Sequence, residues 1–190
     1  MKNRILNSVV VLAVAIGASA FVNAVTKEVN VKESQVNWKG YKVTGSHYGT
    51  IALKSGSLEF QGDVLTGGEF VVDMNSINTT DLSGEYKDQL DGHLKSDDFF
   101  GVENHPTATL KISKVTSSGK NSYEATGDLT IKGKTHPVDF EISVYGSKAT
   151  ANLKIDRSKY NIRYGSGSFF DNLGDKTIYD EFDLNVDLVF

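Results

Sequence analysis

Along most of the chain apolar and polar residues alternate one for one, the pattern of strands that turn one face to a core and the other to water. Val36 and Trp38 begin the series, and Phe70, Val72 and Met74 continue it, followed by Ala108, Leu110 and Ile112, then Leu129 and Ile131. Three longer runs come last: Val138, Phe140, Ile142 and Val144; Ala149, Ala151, Leu153 and Ile155; Phe182, Leu184, Val186, Leu188 and Phe190. Between runs stand short turn clusters: "KSGS" at 54–57, "QGD" at 61–63, "SSGKNS" at 117–122, "KGK" at 132–134 and "YGSK" at 145–148. Connections this short join antiparallel neighbours. The pattern predicts about eight to ten strands in one domain, with no repeat or linker.

One segment departs from the alternation. "SGEYKDQLDGHL" at 83–94 spaces Tyr86, Leu90 and Leu94 four apart, which predicts a short helix with Ser83 as its N-cap. In "HLKSDDFF", which follows, Ser96 is expected to cap a brief second turn and to place Asp97 and Asp98 at the positive end of its dipole. Phe99 and Phe100 then emerge on different sides, one against the sheet and one toward its interior. Residues 83–100 read as a lid between two blocks of strands.

Composition supports an all-β class: 18 glycines, two prolines, and many Thr, Val, Phe and Tyr. The start, "MKNRILNSVVVLAVAIGASAFVNA", has a basic tip, an apolar run and small residues before a cut, the layout of a secretory leader cleaved after Ala24. The expected organisation is a signal peptide at 1–24 and one barrel domain at 25–190, in a periplasmic or secreted protein. The apolar run is too short to span a bilayer as a helix, so no stable membrane insertion is expected. Without Lys2 and Arg4 the 20 basic residues fall to 18 against 24 acidic ones, moving the formal charge from −4 to −6. That balance, with no clustered basic face, argues against nucleic acid as a partner. With no cysteine, disulfides contribute nothing and the domain must be held by its core.

The stretches "VNWKGYKVTGSHYGTIALKSGSLEF", "GGEFVVDMNSINTTD", "LDGHLKSDDFFGVENHPTATLKI", "GDLTIKGKTHPVDFEI" and "LKIDRSKYNIRYGSG" resemble, in this order, the YceI-like family of secreted bacterial proteins. The resemblance implies a closed, antiparallel, lipocalin-like β-barrel of about eight strands. In some members its apolar lumen holds a polyisoprenoid such as a quinone or prenyl lipid, and no enzymatic activity defines the family. Many relatives carry a histidine in the strand after the first tryptophan-like position; here His47 stands displaced from it.

An eight-stranded barrel is just wide enough to be filled by side chains or to hold one slender ligand. Small inward residues, Ala108, Ala125, Ala149 and Ala151, suggest room. Burying about twenty methylene equivalents at ~0.8 kcal/mol each amounts to ~16 kcal/mol gross, so an apolar lipid needs shape more than charge. By alternation and size the expected lumen contacts are Trp38, Phe70, Val72, Met74, Leu94, Phe99, Phe100, Leu110, Leu129, Phe140, Ile142 and Leu153. His93, on the lid, is the candidate for a polar head group.

Rival readings are weaker. A small outer-membrane barrel would also alternate and end on Phe190, but its strands should be longer and uninterrupted. A packed structural or stress-response barrel without ligand is the other alternative, since composition alone does not show whether the lumen is filled. Catalysis finds little footing: Asp97 and Asp98 are adjacent and do not face each other, and the four histidines lack metal-ligand spacing, so neither catalytic nor metal site nor cofactor is expected. Whether two barrels pair as a homodimer is left open by the pattern.

Overall fold

The computed structural model describes residues 24–190. The expected leader lies outside the described residues except for Ala24, which opens the first strand. Among the described residues are nine strands and one α-helix: β1 (Ala24–Glu28), β2 (Gln35–Lys42), β3 (Gly45–Gln61), β4 (Val64–Thr79), α1 (Gly84–Lys95), β5 (Thr107–Gly119), β6 (Ser122–Ile131), β7 (Lys134–Tyr145), β8 (Lys148–Asp156) and β9 (Ile178–Val189). Every pairing is antiparallel. The order β3-β2-β9-β8-β7-β6-β5-β4 returns to β3, which pairs with both β2 and β4 and closes an eight-stranded barrel. β1 is the extra strand, running along the far half of β3 from Ala24 opposite Gln61 to Glu28 opposite Ser57.

The alternation read from the sequence points its apolar face inward. Leu58, Leu65, Ile142, Ala149 and Ile155 are almost completely buried, while Lys111, Asp128, Asp139, Glu141, Lys154 and Asp187 face out into solvent. "KSGS" at 54–57 is not a hairpin. It lies inside β3, where the register with β4 slips between Leu53 and Ser55, so the glycine and serines mark a bulge rather than a turn.

The connections sort the barrel's two ends. The β3–β4, β5–β6 and β7–β8 hairpins share one end; the β2–β3 hairpin, the β6–β7 turn, α1 and the long β8–β9 connection share the other. In the β6–β7 turn Lys132 and Gly133 both take positive φ, 51° and 71°, as a two-residue hairpin matching strand twist requires. That turn aims the Lys132 ammonium at the lid, where it donates to the carbonyls of Asp97 (2.6 Å) and Phe99 (2.9 Å).

At this end the wall is also split. β7 pairs with β8 only from Glu141 to Tyr145, so residues 134–140 have one free edge, and Pro137, which lacks an N–H to donate, sits there without cost to a ladder. The 3₁₀ turn Arg157–Tyr160 covers the gap, with Tyr160 edge-on to His136 at 5.3 Å. Burial, and then Asp156, push the Tyr160 phenol up to about 12, so it plugs the gap as a neutral group.

α1 lies where the spacing predicts it, with two differences. Ser83 occupies the N-cap position but its side chain makes no capping bond. Tyr86 is 75% exposed, in a first turn of α1 whose residues 84–86 all face solvent; Leu94 is the buried residue and Leu90 is half-buried. α1 is instead tied down by Asp91, which accepts the Thr79 amide at 2.8 Å and pairs with Lys87 one turn earlier. Ser96 caps no second helix. Its hydroxyl donates to the His93 carbonyl, and its own carbonyl accepts the amides of Phe99 and Gly101. Asp97 and Asp98 therefore follow the C-terminal end of α1 rather than opening a new dipole.

Candidate ligand-binding site

The end bearing α1 holds an apolar cavity of about 130 Å³. Its wall is drawn from strands all round the barrel, with Trp38 of β2, Val72 and Met74 of β4, Leu129 of β6 and Leu184 of β9 lining it, and Leu94, Phe99 and Phe100 form its roof. Trp38 is set by a close approach. Across the β2–β3 pair it faces Gly49, where any Cβ would lie 2.0 Å from the Asn78 carbonyl oxygen and 2.8 Å from the indole. The Trp38 ring N–H donates to the Thr50 carbonyl at 3.2 Å. Phe99 and Phe100 meet edge to face at 5.1 Å, and Phe100 reaches Phe182 of β9 at 6.4 Å, so aromatic contacts bridge lid and wall.

The other five expected contacts are placed elsewhere. Phe70, Phe140, Ile142 and Leu153 are buried and Leu110 is half-buried, all within the packed core and none lining the cavity. Register gives the reason. Phe140 and Ile142 stand opposite Ala125 and Tyr123, toward the hairpin end, while Phe70 pairs with Leu110 one step below the level of Val72 and Ala108. The small residues divide in the same way: Ala108 lines the cavity, whereas Ala125, Ala149 and Ala151 are packed over by larger neighbours. His93 does not line the cavity either. Its ring packs edge-on to Tyr164 at 4.3 Å and lies 5.7 Å from Phe99, and its Nε2 is buried without a hydrogen-bond partner. His47 pairs with Asp81 at 2.8 Å, away from the lining.

Among the lining residues outside the expected set, Arg157 stands apart. It is 2% exposed and is the one charged side chain of the cavity lining among the described residues. Its guanidinium donates to the carbonyls of Ile162 (2.8 Å), Ile178 (2.9 Å) and Tyr179 (3.1 Å), and lies 3.5 Å from Asp180. Burial lowers its pKa, and Asp180 and Asp156 oppose that change, so the cation persists. A signal was present: position 157 continues the inward parity of Ala149, Ala151, Leu153 and Ile155. Tyr41 is brought to the cavity by the slip in the β2–β9 register between Gly40 and Lys42, which no parity rule foresees. Among the described residues no three His, Asp or Glu side chains gather as a metal site would require.

An eight-stranded antiparallel ring with a roofed apolar cavity at one end is a lipocalin-like barrel. The YceI-like domain profile matches residues 28–190, and the chain belongs to that family. A UPF0312 protein of Vibrio campbellii is 29% identical over 139 residues, covering 72% of this chain and 71% of the relative. One of Vibrio parahaemolyticus is 30% identical over 105 residues, so that the chain spans about half of that relative, 55%. Among solved structures, BcnA of Burkholderia cenocepacia has a TM-score of 0.67 at 24% identity, over 85% of this chain and 99% of that one. A polyisoprenoid binding domain from Saccharophagus degradans has a TM-score of 0.56 at 14% identity, over 85% and 95%. At these identities the structural likeness concerns the fold.

Proposed function

We propose that this protein is an exported, non-enzymatic carrier that holds a polyisoprenoid or similar long apolar lipid, such as a quinone or prenyl lipid, at the roofed end of its barrel. The observation that carries the reading is the cavity itself: apolar walls around a single guanidinium, a lining that favours a hydrocarbon with one polar end. The name of the Saccharophagus degradans neighbour supports the same ligand class. The charged outer face favours a barrel that stands in water, since charges on a lipid-facing wall cost roughly 2–4 kcal/mol each at the bilayer midplane. The leader pattern at 1–24 supports export.

Size refines the reading. A cavity of about 130 Å³ takes one ring or one branched unit, comparable with the roughly 150 Å³ that admits benzene. A whole polyprenyl chain needs several times that space. Loading therefore means displacing the roof, Leu94, Phe99 and Phe100, rather than filling a ready tunnel. The packed hairpin end favours a second reading, a structural barrel without ligand. Solvent extraction of protein purified from its native host, followed by mass spectrometry, separates the two. An isoprenoid or other long-chain lipid near one per barrel supports carriage, and repeatedly empty protein supports the structural reading.

A further inference from the structure

Exposed aromatic surface is concentrated at the roofed end. Among the described residues both exposed phenylalanines, Phe169 (38%) and Phe170 (49%), lie in the β8–β9 connection with half-exposed Tyr164. Exposed Val43, at the tip of the β2–β3 hairpin, is joined to them by its amide on the Thr177 carbonyl (3.1 Å). The hairpin end exposes Val25, Val64 and Tyr145 and, among the described residues, no phenylalanine. The connection is not loose. Fully buried Ser166 accepts the amides of Phe169 (3.2 Å) and Phe170 (3.1 Å) on its carbonyl, and Ser168 donates to Asp180 at 2.6 Å. An ordered turn thus holds two phenyl rings in water, where leaving them exposed forgoes the stabilisation of burial.

The charges around these rings narrow the partner. A wide depression beside them is lined by Lys42, Lys132, Arg163 and Lys176 together with Asp97, Asp98 and Asp175. In a chain of net charge −4 this rim carries four cations against three carboxylates. The Arg163 guanidinium lies 4.9 Å over the Phe169 ring, an amphipathic pair with an apolar body and a charged tip. Aromatic rings interleaved with snorkelling cations are the side chains that settle at the head-group level of a bilayer. Ile178 lines both this depression and the inner cavity, so the two lie on either side of one residue.

We infer that the roofed end docks reversibly on a phospholipid surface through Phe169, Phe170 and Tyr164, with the rim cations on lipid phosphates, and that an apolar ligand passes between bilayer and cavity there. The passage rests on the carrier reading; the docking does not. The test is flotation of purified protein with vesicles of phosphatidylcholine plus phosphatidylglycerol, beside phosphatidylcholine alone. The protein is expected to float, more with the anionic vesicles, and F169S/F170S to lower the bound fraction about tenfold with an unchanged melting temperature. Val64→Ser, at the opposite end, leaves flotation unchanged. Protein that stays in the bulk, or a double variant that floats like its parent, overturns the inference. Flotation without extractable lipid upholds docking and removes the carrier; extractable lipid without flotation does the reverse.

Discussion

The guanidinium of Arg157 lies 5.4 Å over the ring of Phe99, so the charged member of the cavity wall touches its roof. The same group holds three carbonyls, those of Ile162, Ile178 and Tyr179, which join the turn after β8 to the start of β9. Arg157→Met leaves those acceptors without their donor in a site closed to water. The expected loss is on the order of 3 kcal/mol, read as a lower urea midpoint. Arg157→Lys restores the charge but not the fork of donors, and its midpoint should fall between the two.

Trp38 is the chain's single tryptophan and lines the cavity. Titration with a prenyl quinone should therefore quench its emission saturably. Ala108→Phe places a ring in the same space, at about 1–3 kcal/mol of overpacking, and should abolish the response while the circular dichroism stays that of a barrel. An unaltered response in the variant would place the ligand elsewhere.

Asp91 anchors the lid helix and gives it a pH limit. Burial pushes its carboxyl up, but Lys87 and the Thr79 amide outweigh that effect and hold it below its ordinary value of 3.8. A lowered folded value means the stabilisation is complete above about pH 4 and is lost as pH falls through the folded value. Hydrogen exchange of the α1 amides should accelerate in that acid range. Asp91→Asn keeps an acceptor for the Thr79 amide and should remove that part of the pH dependence.

Leu94 and Phe140 separate the roof from the packed half. Truncating either to Ala should cost about 2–5 kcal/mol, yet only Leu94→Ala should change the Trp38 response to ligand. Equal effects of the two on ligand binding would contradict the division of the barrel into an open end and a filled one.

The strands, the inward face and the helix were legible because alternation and fourfold spacing are local properties of the chain. Depth along the barrel was not. Phe140 and Leu129 share the inward parity, but which of them borders empty space depends on register between strands far apart in sequence, and on the slips at Gly40/Lys42 and Leu53/Ser55. Small side chains misled for a related reason: Ala149 and Ala151 make room that their own neighbours fill. Arg157 continues the inward parity, but a charge at an inward position reads as the end of a strand until its carbonyl partners are seen.

The carrier reading requires that the roofed cavity take up an apolar lipid. Native mass spectrometry of the intact protein, purified from its own host beside the Ala108→Phe variant, tests it most directly. A mass increment of one isoprenoid-sized lipid is expected on the parent and none on the variant. A parent that flies bare, or the same increment on both, would contradict it.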